Sequence, residues 1–260
     1  MQLFWTLQVA IASLGLTAMA LDRAKLPFRT QQRTIRVLVL LCPLVFLVAA
    51  AIPRGQWEPA ERWMPETVAR DVASPASPAE KSDGSRTIPT IPWFPWWWLP
   101  SGLLLIKFSR DAWLLHRRVG SARAVEPFGG VSVRLASDGS TYAAFTATGP
   151  VIVLDPQTWD SDHDRPIALA HEAQHHAHGD PVWAWVFGLV PVLGALNPFA
   201  YALVRRVRLL DELAVDAVLA PADPPAYAAS ILRGARRQVA PRLALAASSA
   251  PLDTRIRTML

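Results

Sequence analysis

Cysteine is nearly absent. Cys42 is the single cysteine in 260 residues, so no intrachain disulfide can form and a disulfide-stapled scaffold is excluded. Charge is also scarce, at 18% of residues against about a quarter in ordinary soluble domains. Glycine (13) is outnumbered by proline (23), and there is no internal repeat. The chain has no glycine-rich phosphate loop, no Gly-x-Ser-x-Gly turn and no cysteine nucleophile, so those three chemistries leave no trace. Disorder of the whole chain is excluded by its 52% hydrophobic content and 11 tryptophans.

What is abundant is uncharged apolar sequence. Leu3 to Leu21 carries no charge, and neither does Val37 to Ile52; Trp93 to Phe108 opens with Trp93, Phe94, Trp96, Trp97 and Trp98 and holds one lysine, Lys107. These runs predict three membrane spans, at about 3–21, 37–52 and 93–108, with the tryptophans at an interface. Ala18-Met19-Ala20 resembles a signal-peptide cleavage site, but no Lys or Arg precedes the run, which favours a retained span.

Charges in the connecting segments set the orientation. Residues 22–36 hold five basic residues against Asp22 alone, and residues 107–134 hold six against two. Residues 53–92 hold five basic and six acidic residues. The basic segments are expected on the cytoplasmic side and the Pro-, Ala- and Ser-rich 53–92 outside as a loop. The net charge of +5 is thereby explained by topology and anionic lipid, and no nucleic-acid partner is expected.

Residues 117–165 read as partly β. Val131 to Leu135 alternates, Ser137-Asp138-Gly139-Ser140 is a turn, Tyr142 to Thr148 suits a returning strand, and Val151 to Leu154 is a short β-branched run.

The chemistry lies in Ala168-Leu-Ala-His171-Glu172-Ala-Gln-His175-His176-Ala-His178-Gly179-Asp180. Two histidines four apart on a helix lie about 40° apart around its axis, so both imidazoles can reach one zinc ion. Glu172 faces the same open side, where it can accept the proton of an attacking water. Four of the six histidines lie between 171 and 178, so a loose metal-binding tract is the bland alternative.

A catalytic zinc needs a third protein ligand. Downstream, Leu210-Asp211-Glu212-Leu213-Ala214-Val215-Asp216 places Glu212 and Asp216 one turn apart in apolar surroundings. Glu212 is read as the third ligand, and Asp216 as the carboxylate that receives the other ring N–H of a ligand histidine.

These motifs, with Pro150 to Leu154 and Asn197-Pro198, resemble the bacterial membrane metallopeptidases typified by β-lactam sensor-transducers of the BlaR and MecR type. The resemblance covers roughly Val131 to Leu219 and the arrangement of the apolar runs. It implies an α-helical membrane protein with a small α+β zincin-like cytoplasmic metalloprotease domain of the gluzincin kind. His171, His175 and Glu212 would be the zinc ligands and Glu172 the general base. The expected location is the bacterial inner membrane, multi-pass, with the active site facing the cytoplasm. Residues 1–108 would be the membrane region and 109–260 the peptidase domain. Val215 stands where the family often has cysteine. No Ser-x-x-Lys occurs and the sequence ends at Leu260, so an external penicillin-binding sensor is not carried over.

Trp183 to Val204 is uncharged for 22 residues. A straight crossing would put Glu212 and His175 on opposite sides of a membrane, so a membrane-associated helical hairpin at about 182–204 is expected, its second helix starting near Pro198. The edge strand that pairs an extended substrate is expected at Val151 to Leu154 or in the hairpin before it. The expected partners are a protein or peptide substrate, a cytoplasmic transcriptional repressor among the candidates, and the lipid bilayer. A homodimer is left open, as are two rival roles: a non-catalytic zinc-binding membrane scaffold and a housekeeping membrane protease. His116 and His163 lack ligand spacing and are read as surface residues.

Overall fold

The computed structural model describes residues 2–24, 26–51, 98–136, 138–237 and 252–259. Helices α1 (Gln2–Leu21), α2 (Phe28–Ala51) and α3 (Trp98–Ser121) precede strands β1 (Arg123–Phe128), β2 (Val131–Leu135), β3 (Tyr142–Thr146) and β4 (Gly149–Leu154). The chain continues through α4 (Pro156–Asp160), α5 (Asp164–His178), α6 (Asp180–Leu193), α7 (Pro198–Leu219), α8 (Pro224–Arg237) and α9 (Leu252–Met259).

The strand order is β1-β2-β4-β3. Tyr142 to Thr146 therefore does not return along β2; β3 pairs antiparallel with β4, and β4 lies parallel to β2. The burial pattern gives the reason. Val151 and Val153 pack on Leu115 and Val119 of α3, whereas Ile152 and Leu154 pack with Val133 and with Leu169 of α5. A strand covered on both faces is a continuous apolar run and belongs inside the sheet. The edge position passes to β3, so of the two places expected to offer an edge, Val151 to Leu154 does not and the hairpin before it does. Gly149, at φ +106°, makes the tight β3–β4 turn.

The expected membrane fold is overturned: among the described residues, no helix is long and apolar enough to cross a membrane. The multi-pass inner-membrane location falls with it. One face of the first run is used in internal packing, while Val9, Leu16 and Met19 on its other side are exposed. Ile11 and Ala18 of α1 and Ile35 of α2 form one core cluster with Phe187 and Val190 of α6 and Ala200, Leu203, Val207 and Leu210 of α7. Burying such aliphatic side chains contributes roughly 1.5–3 kcal/mol each. Gln8 lies within the first run and donates from Nε2 to Leu193 O at 3.1 Å. A Cβ on Gly15 would stand 2.8 Å from Phe199 Cβ, so α1 and α7 approach closely there. The second run begins inside a helix whose first half carries Arg29, Gln31, Gln32, Arg33 and Arg36, and the third continues into Lys107, Arg110 and Asp111. The expected loop 53–92 and residues 93–97 lie outside the described residues.

Residues 182–204 form two helices. α6 carries Pro191 and ends at Leu193, where Gly194 N–H donates to Val190 O at 2.9 Å. Asn197 caps α7 by accepting from Phe199 N–H at 3.0 Å, and its Nδ2 donates to Gln8 O at 2.9 Å. This break sends α7 back past α5, which places Glu212 near His171.

Candidate metal centre

α5 ends at Gly179, whose left-handed backbone (φ 72°, ψ 15°) suits glycine and whose N–H donates to the carbonyls of His175 and His176. The buried face of α5 carries His171, Glu172 and His175. Their two imidazoles stand at 84° to each other with Nε2 atoms 3.2 Å apart. Glu212 of α7 completes the group: Oε2 is 3.5 Å from His171 Nε2, and Oε1 is 3.8 Å from His175 Nε2. His171, His175 and Glu212 are all buried and their ligand atoms lie within 4.8 Å of one another.

The donor set fits a metal. His175 Nδ1–H donates to Asp180 Oδ2 at 2.8 Å, and His171 Nδ1 meets Tyr227 Oη at 2.7 Å. With both Nδ1 atoms engaged, the Nε2 lone pairs face each other beside a carboxylate. Donor atoms about 2.0–2.1 Å from a tetrahedral zinc stand roughly 3.3 Å apart, close to the observed spacings. The anionic surroundings also act on His175. Burial disfavours its charge, but Asp180, Glu212 and Glu172 outweigh that and raise its pKa to about 9. Burial pushes Glu212 upward, while Arg255 and the two histidines hold it well below the carboxylate range.

Asp216 sits one helical turn beyond Glu212, but it does not touch a histidine directly. Tyr227 of α8 stands between: its hydroxyl donates to Asp216 Oδ1 at 2.9 Å and accepts from His171. Burial, and then Asp216, raise the Tyr227 pKa, so the phenol keeps the proton it donates. Asp180 has the direct role expected of Asp216, toward His175. No sequence signal marked Tyr227, because a lone tyrosine beyond Pro224-Pro225 matches no ligand spacing.

Glu172 is 2% exposed and accepts from Ala143 N–H of β3; its Oε2 has no hydrogen-bond partner among the described residues. Burial raises its carboxyl above the ordinary range, against the lowering effect of the two histidines. A cavity of about 40 Å³, bordered by Thr141, Ile167, Ala168, Ile231 and Gly234, reaches His171 and Glu172. His176 turns away and meets Val151 O at 3.0 Å, and His178 pairs with Gln174, so neither joins the metal group. His116 accepts from Ala147 N–H far along the chain from these residues.

Two helical histidines and a glutamate from a second helix form a group that could hold a metal ion, with a buried carboxylate beside the first histidine. The BlaR1 peptidase M56 family model matches residues 34–259, and the chain belongs to that family. No curated protein matches the chain in sequence.

Proposed function

We propose that this metallopeptidase is a zinc-dependent endopeptidase acting on protein or peptide substrates, with His171, His175 and Glu212 as ligands. The observation that carries the reading is the convergence of three ligand atoms beside Glu172, which a purely structural metal site would not need. Two imidazoles and one carboxylate suit zinc. Zinc held there would supply Lewis acidity and lower the pKa of a water.

The chain's own groups do the rest. Glu172, its basicity raised by burial, accepts the proton of the attacking water and passes it to the leaving amine. Ala143 N–H holds that carboxylate against β3, so the base is fixed relative to the sheet edge. An extended peptide laid along β3 would present its backbone to this base, in the manner of strand addition. The family resemblance extends the substrate class to folded regulators such as a transcriptional repressor.

The test is hydrolysis of a mixed peptide library by the full chain loaded with zinc. Glu172→Gln should keep its zinc and lose about 10²–10⁴-fold in rate. A variant that cleaves like the wild type would refute the assigned base.

A further inference from the structure

The C-terminal helix α9 contributes a cation to the centre. Leu252, Arg255 and Met259 fall at helical spacing on one face. Leu252 and Met259 pack on the cluster of Ala220, Tyr227 and Ile231, which brings Arg255 inward to full burial. Arg257, on another face, is exposed and pairs with Asp253. The same short helix thus holds one solvated arginine and one with no exposed surface.

The Arg255 guanidinium is shared between two carboxylates. Its Nε and Nη2 donate to Asp216 Oδ2 and Oδ1, both at 2.7 Å, in a bidentate fork. Its Nη1 forms an ion pair with Glu212 Oε2 at 2.8 Å. Two buried carboxylates against one guanidinium leave one negative charge, which favours a cation beside Glu212. The arrangement also reaches a second ligand. Asp216, fixed by Arg255, accepts from Tyr227, and Tyr227 accepts from His171 Nδ1.

We propose that Arg255 is a positioning residue for the metal ligands: it holds Glu212 directly and His171 through Asp216 and Tyr227, making α9 an integral part of the metal site. The proposal rests on the metallopeptidase reading of that site. A planar fork is required, because an ammonium group offers a point charge and cannot hold two carboxylates in this geometry.

The experiment is cobalt(II) binding to the full chain, followed by its visible absorption band and by competition with a chelator. Wild type, Arg255→Ala and Arg255→Lys are compared, with and without added methylguanidinium. Arg255→Ala should bind cobalt about 10–100-fold more weakly, as expected for loss of a group that orients ligands. Methylguanidinium, which fits the vacated space, should recover about tenfold of that loss and leave wild type unchanged. Arg255→Lys should lose about five- to tenfold.

If α9 merely anchors the fold, Arg255→Ala would lower the Tm while the folded protein kept wild-type cobalt affinity and gained nothing from methylguanidinium; that result overturns the proposal. Should the alanine variant fail to fold, wild-type affinity in folded Arg255→Lys overturns it equally. Failure of the wild type itself to bind cobalt would instead refute the metal site.

Discussion

His175 Nδ1 lies 2.8 Å from Asp180 Oδ2, and the other oxygen of Asp180 is held by Gln32 and Arg36 of α2. The N-terminal part of the chain therefore reaches a metal ligand through one carboxylate. Gln32 Nε2 donates to Asp180 at 2.9 Å and to Asp211 at 2.6 Å, and Arg36 also pairs with both. Asp180→Asn removes the charge that fixes the His175 tautomer. Zinc affinity should fall about 10–100-fold in a chelator competition titration. Unchanged affinity would show that His175 needs no such partner.

Tyr227→Phe deletes one hydroxyl and leaves both its partners in place. His171 Nδ1–H then loses its acceptor and Asp216 one of its donors, in a buried setting. An unsatisfied buried polar group costs about 1–3 kcal/mol, so urea denaturation should show a loss of that size. Zinc affinity should fall about tenfold beside it. A phenylalanine variant as stable as the wild type would argue against the relay.

Asp211 gives the stability a pH dependence. Burial first, and then the nearby Asp180 charge, raise its pKa from 3.8 to about 7, against the lowering effect of Arg36 and Gln32. The folded state thus holds a proton that the unfolded state releases at lower pH. Below pH 4 both states are protonated and Asp211 makes no difference. Between pH 4 and 7 the unfolded chain ionises first, so stability falls as pH rises through this window. Thermal unfolding of the metal-free protein should show this slope, and Asp211→Asn should flatten it. An equal slope in the variant would contradict the assignment.

The site was more legible in the sequence than the fold around it. His171, Glu172 and His175 announce themselves because helical spacing of four is a local rule, and Glu212 because an acid among Leu210, Leu213 and Val215 demands a partner. The break at Gly194 to Asn197 was also readable, from Pro191, Gly194 and Asn197-Pro198. Tyr227, Arg36 and Arg255 were not. Their partners lie 56, 144 and 39 residues away along the chain, and nothing in a lone tyrosine or arginine states which one folds inward.

The apolar runs misled for a related reason. Absence of charge from Leu3 to Leu21 describes a helix that packs one face against α2, α6 and α7 as well as one facing lipid, and the core contacts of Ile11 and Ala18 are invisible in a hydropathy profile. Strand order was hidden likewise. Val151 to Leu154 shows by its unbroken apolar character that both faces are covered, but which strand lies outside it is a property of the whole sheet.

The central claim is that two motifs some forty residues apart build one metal centre, and elemental analysis of zinc per chain tests it most directly. Wild type should carry about one zinc, as a site of three protein ligands with an open position would. Glu212→Ala, purified in parallel, should lose most of it. Full zinc retention by folded Glu212→Ala would contradict the account, leaving His171 and His175 to bind metal without the second helix.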